Sequence, residues 1–456
     1  MKSMEKKTVK KKTDEINSFR LTICGFKSIA HKSTIEIRPL TILAGANSSG
    51  KSSFMQPLLL LKQTLDTQYD PGALLINGPH VRYTSAEQFL SRIASSNCSN
   101  ELYIEFELSN QKSIGITFIK ESEGLILRNN IRINNKKKYV FEENMTHKEI
   151  YKNLPGEMKL FNKFIVNLGK GILKELNNKP EKLIKSSLIT RRDRCFISVV
   201  LVLSDRDMYQ ESNLEIGYTK QYREILKQII HLPGLRGNPE RNYKTTAVGS
   251  LFPGSFENYT ASIIHNWNKL RSNKMKELSN NLENLGLTSV IQSKIIDETQ
   301  VEIKVGRSLC REQKEVNDVV NIADVGVGVS QVLPVIVALM VAEKGSIVYI
   351  EQPEIHLHPR AQVSLAEIIA DAARRGVKVV IETHSHLLLL GIQTLVAEKK
   401  LPPNLVKLHW FSRNEDGSTK IDSRDLDETG AYGNWPEDFG DIELNLENRY
   451  LNAAED

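Results

Sequence analysis

The sequence predicts an α/β fold: a mixed sheet flanked by helices, with a β-rich lobe and a largely helical insertion. Three observations carry that prediction. First, a glycine-rich turn, Gly45-Ala46-Asn47-Ser48-Ser49-Gly50-Lys51-Ser52, stands between an apolar, β-prone segment (residues 39–44) and an apolar helical segment beginning at Ser53. Second, from about residue 320 the chain alternates: a glycine-rich turn, an apolar helix, strand 346–351, helix 360–375, strand 377–382 and helix 385–398. Such alternation argues for a parallel sheet covered on both faces. Third, residues 101–142 contain strand-like runs such as Leu102-Tyr-Ile-Glu-Phe-Glu-Leu and Gly115-Ile-Thr-Phe-Ile, which make the lobe.

Taken in order, residues 1–18 read as a flexible basic tail. Residues 19–144 form a first half with the glycine turn and the β-lobe, led in by alternating strands near 19–29 and 33–38. Residues 145–318 read as a mostly helical insertion, polar and Lys-rich, broken by the apolar strand candidate at 196–203. Its stretch Leu232-Pro-Gly-Leu-Arg-Gly-Asn-Pro-Glu-Arg-Asn-Tyr243 is too rich in Pro and Gly for regular structure. A helical segment near 257–285 and an alternating strand at 299–305 follow. Residues 319–456 form the second α/β half, with tail strands at 405–411 and 418–422. No internal repeat or sustained heptad is present.

Composition narrows the class. With 456 residues, 40% hydrophobic, the chain can bury a large core in two or three lobes. The longest apolar run, residues 332–342, is too short to cross a bilayer, and no signal-peptide pattern precedes it. The cysteines, Cys24, Cys98, Cys195 and Cys310, show no metal or disulfide-framework spacing, so a reducing, cytoplasmic location is expected. The net charge of +6 is mostly an effect of residues 1–12, where Lys2, Lys6, Lys7, Lys10, Lys11 and Lys12 face only Glu5. Charge therefore gives little support for nucleic-acid binding by the body.

The glycine turn has the form of a P-loop. Glycines let backbone N–H groups curl around phosphate oxygens, and the following helix N-terminus adds positive potential. Residues Gly45 through Ser53 are the nucleotide cradle. Lys51 would reach the β- and γ-phosphates of ATP, and the Ser52 hydroxyl would hold Mg²⁺. Ser346-Ile-Val-Tyr-Ile-Glu351-Gln352-Pro353-Glu354 has the form of a Walker B strand. Its acid, Glu351, stands where an α/β sheet places ligand groups and is expected to hold Mg²⁺ opposite Ser52. Upstream, Asp324-Val-Gly326-Val-Gly328-Val-Ser330-Gln331 opens an apolar helix. Ser330 is its expected N-cap, with Pro334 in the first turn. One ATP does not need two such helix ends from one chain, so this signature is expected to serve the nucleotide of a partner subunit. Finally, the strand Val377-Lys-Val-Val-Ile-Glu382 ends in Thr383-His384-Ser385, and His384 could reach the γ-phosphate or the attacking water.

Together these residues resemble the ATP-binding-cassette-type ATPase heads of the RecF, SMC and OLD families. Phe26-Lys27-Ser28 looks like the Phe-Lys-Ser element that those heads carry near the nucleotide. Val325 to Pro334 looks like their signature, Glu351-Gln-Pro-Glu-Ile-His-Leu-His-Pro359 like their Walker B and D-loop, and His384 like their switch histidine. The match is closest to small bacterial OLD-like ATPases with a Leu-Arg-x-x-Pro-x-Arg-x-Tyr element, here Leu235 to Tyr243, and a late Trp435-Pro436. The resemblance implies Mg²⁺-ATP, a homodimer or higher oligomer, and catalytic roles for Glu351, Gln352, Glu354 and His384, with Lys27 and Ser28 at the nucleotide. It implies Gly326, Gly328, Ser330 and Gln331 acting in trans.

Two departures matter. The families' usual acid after Glu351 is Gln352 here, and a glutamine orients a water without taking its proton, so slow hydrolysis is expected. OLD enzymes also continue into a Toprim nuclease, and about 70 residues after His384 are too few for one. Any nuclease or toxin activity is then expected from a separate effector protein, with a nucleic acid or phage-derived trigger, in anti-phage defence. The alternative is a RecF/SMC-like DNA-repair or DNA-clamping ATPase. A transporter's nucleotide-binding subunit is disfavoured by the long insertion, and Gln352 keeps a non-catalytic structural role open.

Overall fold

The computed structural model describes residues 18–93, 100–108, 112–122, 124–134, 136–160, 163–164, 167, 185–204, 209–215, 219–307, 318–433 and 448–453. The basic tail and Trp435-Pro436 lie outside the described residues.

In chain order, β1 (Phe19–Cys24), β2 (Ser33–Ile37) and β3 (Leu40–Gly45) lead into α1 (Lys51–Asp66). There follow β4 (Glu101–Leu108), β5 (Lys112–Glu121), β6 (Gly124–Asn134), β7 (Lys137–Phe141) and α2 (His147–Asn153). The middle contributes β8 (Lys185–Asp193), β9 (Phe196–Ser204), β10 (Tyr209–Glu215), α3 (Lys220–Lys227), β11 (Ile230–Leu232) and β12 (Tyr243–Lys244). It continues with α4 (Glu257–Lys269), α5 (Asn273–Asn284), β13 (Ile291–Asp297) and β14 (Gln300–Gly306). The last part holds β15 (Val319–Asn321), α6 (Val327–Val341), β16 (Ile347–Glu351), α7 (Pro359–Arg374), β17 (Lys378–Glu382), α8 (His386–Ala397), β18 (Val406–Arg413) and β19 (Thr419–Arg424).

The central sheet runs β11-β16-β17-β3-β18-β19, parallel throughout except for the β18–β19 hairpin. Every residue of β3 and β17 is buried, as in strands covered on both faces. The period-2 geometry of those strands divides the interior in two. Leu40, Ile42, Val348, Ile350, Val379 and Ile381 face one core, shared with α6, α7 and α8. Leu43, Ile347, Tyr349 and Val380 face the other, shared with α1 and the lobe. α6 is buried almost all round, as its near-continuous apolar sequence requires. The lobe is an antiparallel sheet, β2-β1-β4-β5-β6-β7, in which Leu102, Ile104 and Phe106 of β4 alternate inward.

The middle corrects one expectation. The described residues of 145–318 are not mostly helical: they supply β8 to β14 alongside α2 to α5. The polar Lys-, Ser- and Thr-rich stretch before residue 194 is a strand, β8, which turns through Arg194 at φ 56° and pairs along β9. β11 joins the central sheet as its edge, so the insertion is woven into the core rather than set beside it. A second correction concerns thiols: Cys24 is disulfide-bonded, which the scattered spacing does not anticipate. Cys195 is a free, buried thiol, and Cys98 and Cys310 lie outside the described residues. Among the described residues no helix is long and apolar enough to cross a membrane.

Candidate functional site

The glycine turn joins β3 to α1 at the C-terminal edge of the central sheet. Gly45 has φ 137°, and a Cβ there would fall 2.1 Å from the Phe411 carbonyl oxygen on β18. Gly50 has φ 107°, and a Cβ there would lie 2.4 Å from Thr419 Oγ1. Both positions therefore require glycine for conformation and for space. Ser48 between them is also left-handed, at φ 59°. Ser49 is buried, and its Oγ has no hydrogen-bond partner among the described residues. Lys51 Nζ folds back onto the loop, donating to Gly45 O at 3.0 Å and Ala46 O at 2.8 Å. Burial lowers the Lys51 pKa, against the pull of the Glu382 carboxylate. A cleft of about 230 Å³ opens over this turn, and Lys27, Ser28, Glu382 and Arg413 complete its lining.

The Phe-Lys-Ser element lies where the sequence expects it, beside the turn. Lys27 is held at φ 48° by its N–H on Phe89 O at 2.7 Å. Its Nζ donates to Gln56 Oε1 at 2.9 Å and sits 5.1 Å from the Tyr83 ring centroid. The Ser28 hydroxyl is 2.8 Å from Thr419 Oγ1, and Thr419 also donates to Ser49 O at 2.9 Å. Arg413 Nε donates to Ser48 O at 2.8 Å. The β18–β19 hairpin thus braces the phosphate turn from behind. Sequence reasoning placed those strands and missed this role, because no local signal in Arg413 or Thr419 announces it.

The carboxylates are arranged differently from expectation. β16 and β17 are parallel and in register, so Glu351 and Glu382 stand side by side at the strand ends. Because β17 lies between β16 and β3, its terminal acid is the one nearest the turn. Ser52 Oγ donates to Glu382 Oε1 at 2.8 Å, and the buried Tyr349 hydroxyl donates to Glu382 Oε2 at 3.0 Å. Ser52 thus meets Glu382, a residue that sequence reading took only as the end of a strand, while Glu351, expected to hold Mg²⁺ opposite Ser52, stands one strand further from the turn. Burial raises the Glu382 pKa and the Glu351 charge adds to it, against the two hydroxyls.

Glu351 is engaged from the opposite side. His231 Nε2 lies 3.2 Å from Glu351 Oε1, and Gly234 N donates to Oε2 at 3.2 Å. Burial alone would raise Glu351, but these partners hold it below the usual range. His231 stacks on Tyr349 with ring centroids 5.2 Å apart, and its Nδ1 is 3.2 Å from Nδ1 of His80. His80 is pushed down to about 2 by burial, then by His231 and Lys62, so it is neutral at ordinary pH. This His80–His231–Glu351 chain carries no sequence signature, since its three members come from separate elements.

Gln352 sits at φ 45°, its N–H on Glu382 O at 2.7 Å and its carbonyl accepting from Arg236 Nη2 at 3.0 Å. Glu354 is buried, and its Oε1 accepts the His384 N–H at 3.0 Å. That bond makes Glu354 a brace for the 383–385 turn, with burial raising its pKa. The His384 pKa is lowered by burial and then by the Lys51 charge, both of which favour the neutral imidazole.

The signature residues stand apart. Ser330 lines a different and larger cavity than the one over the glycine turn. The expectation that Ser330 caps its helix is corrected: α6 begins at Val327 behind Gly326, and Ser330 Oγ donates back to Val327 O at 2.9 Å. Pro334 consequently lies beyond the first turn. Gln331 turns inward, its Nε2 donating to Gly237 O at 3.0 Å, so it fastens the 233–243 loop to the signature helix. Gly328 packs close to His356, where a Cβ would come within 3.2 Å of its carbonyl oxygen.

The AAA ATPase domain family matches residues 19–389, a span that holds the glycine turn, both strand-end acids and His384. This chain belongs to that family. Among solved structures the ATPase chain is similar to an Smc head bound to the C-terminal winged-helix domain of ScpA (13% identity, TM-score 0.46, covering 90% of this chain and 98% of that one). It is also similar to the SMC head domain from Thermotoga maritima (11%, TM-score 0.37, 89% and 98%). A third is the Smc head from Pyrococcus furiosus with an extended coiled coil (13%, TM-score 0.41, 89% and 96%). No curated protein matches it.

The cleft suits the nucleotide that this family binds. It offers a glycine cradle, a lysine whose present partners are exchangeable carbonyls, and a helix N-terminus. For Mg²⁺ it offers hard oxygen donors only, the Ser52 hydroxyl and Glu382, with Glu351 alongside. No cluster of three or more metal-type side chains occurs among the described residues.

Proposed function

We propose that this ATP-binding ATPase works as a nucleotide-gated dimer, in which each chain cradles Mg²⁺-ATP on its glycine turn and caps its partner's nucleotide with Ser330. The observation that carries the reading is the separation of the two anion-seeking helix ends. Ser330 lies on a different cavity from Lys51, half-buried and without a charged partner, so one chain alone leaves each half of a nucleotide site incomplete. Two sandwiched nucleotides would favour the closed pair by their differential affinity for it. Ser330→Arg should leave nucleotide affinity of the monomer unchanged and abolish ATP-dependent dimerisation in light scattering. A variant that dimerises like the parent would remove the trans-capping role.

Within that scheme Lys51 and Ser52 bind the phosphates and the cation. Glu382 and Glu351 place the cation, and His384, kept neutral, is available to hydrogen-bond the reacting phosphate or water. Gln352 makes turnover slow. A positioned general base contributes about 10²–10⁴-fold, and an amide supplies orientation only. Gln352→Glu should raise steady-state turnover by about tenfold or more, measured as phosphate release. An unchanged rate would mean that proton transfer at this position does not limit the reaction.

The biological role we assign is control of a separate effector in anti-phage defence. Its support is the motif resemblance to OLD-like ATPases. Phage plating on cells carrying this gene with its neighbour, against cells carrying either alone, tests it; equal plating in all three would sink the role.

A further inference from the structure

The large cavity beside the signature helix has a polar floor that the chain itself leaves incomplete. It encloses about 820 Å³ between the 233–243 loop, the start of α4 and Ser330, Leu333 and Pro334 of α6. That volume falls within the ordinary range of small-molecule sites. Arg236 lines it and is 8% exposed, yet its Nε and Nη1 have no hydrogen-bond partner among the described residues. The same cavity is lined by Glu257, whose charge acts on Arg236 and whose Oε1 is equally unpartnered, and by Thr260, 6% exposed, whose Oγ1 is unpartnered. These four polar atoms, on three residues that line one cavity, each carry the cost of lost hydration.

Their chemistry restricts what can satisfy them. Arg236 requires an acceptor, while the carboxylate of Glu257 requires a donor, and the Thr260 hydroxyl takes either. A compact anion would satisfy Arg236 but would face Glu257 across the floor, with Glu354 and Glu351 also felt at Arg236. A planar group with an acceptor beside a donor satisfies all three, and a nucleobase edge is such a group. The walls fit it, with Tyr243, Tyr259 and Pro239 lining the cavity, and the exposed Arg82 and Lys244 at its rim offer positive charge.

We propose that this cavity is a second nucleotide site, distinct from the glycine turn, which takes a nucleoside monophosphate with its base edge on Arg236, Glu257 and Thr260 and its phosphate toward Arg82 and Lys244. The loop that forms the floor also holds the catalytic elements. Gly234 N bonds Glu351, Arg236 Nη2 bonds the Gln352 carbonyl, and Gln331 bonds Gly237 O. Occupation of the floor by a ligand therefore bears on the Walker B strand end and on the signature helix at once, which makes the site a regulatory one.

The test uses the full-length protein and AMP, which lacks the β- and γ-phosphates that Lys51 is placed to bind. Calorimetry should find one AMP equivalent bound equally by the parent and by Lys51→Ala, so that failure of the glycine-turn reading and failure of this one are separable. Thr260→Val and Arg236→Ala should weaken that binding by about tenfold or more, the effect of one lost buried or charge-assisted hydrogen bond. Because Arg236→Ala removes a bond to Gln352 and could disturb folding, photolabelling of the parent with 8-azido-AMP provides a second readout. The label should map to residues 233–261. No binding at millimolar AMP, labelling confined to residues 45–53, or binding lost in Lys51→Ala and kept in Thr260→Val would overturn the proposal. Binding of single-stranded oligonucleotide in place of AMP would overturn it equally.

Discussion

Lys51→Ala is expected to weaken ATP binding by about 10²-fold or more, beyond detection in a fluorescent-nucleotide titration. The reasoning starts from what the ammonium does without nucleotide. It is 4% exposed and occupied by two neutral loop carbonyls, Gly45 O and Ala46 O. Burial lowers its pKa, so the folded protein holds this charge at a cost that its carbonyl partners only partly offset. Phosphate oxygens would replace those carbonyls with charge-assisted bonds, each worth about 1.5–3 kcal/mol. Two of them account for a loss of at least two orders of magnitude. The same reasoning predicts little loss of fold. The nucleotide-free variant should melt near the parent, while the stabilisation that ATP gives the parent disappears. Retained ATP affinity in a folded Lys51→Ala protein would remove the assignment of the glycine turn.

What could be read from the sequence was what neighbours in sequence determine. The turn at 45–52 was legible because its glycines are required locally, and the structure gives the spatial reason at Gly45 and Gly50. Strands β16 and β17 and helices α7 and α8 were legible because apolar runs of those lengths, separated by turns, have few other solutions. Partnerships that depend on strand order were not. That Ser52 meets Glu382 rather than Glu351 follows from β17 lying between β16 and β3, which no periodicity reveals. Arg413 and Thr419 reach the turn only because β18 is its other neighbour. The insertion misled for a different reason. The polar composition of β8 resembles an exposed helix, and it becomes a strand because β9 pairs along its full length. Ser330 misled through a local rule: serine is a good N-cap, but Gly326 already serves there, and α6 starts one turn earlier.

The second large effect concerns Glu382. Glu382→Gln should lower ATP turnover by about 10²–10³-fold and raise the Mg²⁺ concentration needed for half-maximal activity, while nucleotide binding without metal survives. The side chain keeps its shape, so one of the Ser52 and Tyr349 hydroxyls retains its acceptor oxygen while the other meets the amide NH₂. What is lost is a negative charge beside Ser52, where the proposed site would hold the cation. Its neighbour provides the control. Glu351 has its two oxygens committed to His231 and Gly234 N, which fix its orientation. Glu351→Gln keeps an acceptor for one of these and removes the charge from the other side of the cation. The two substitutions should therefore both slow hydrolysis, but the shift in Mg²⁺ requirement should be larger at Glu382, the residue in contact with Ser52. A magnesium titration of turnover in the two variants decides the matter. If Glu382→Gln kept the parent's rate and magnesium dependence while Glu351→Gln lost both, the strand-end acid on β16 alone would serve the metal. The Ser52–Glu382 bond would then be a feature of the nucleotide-free turn only.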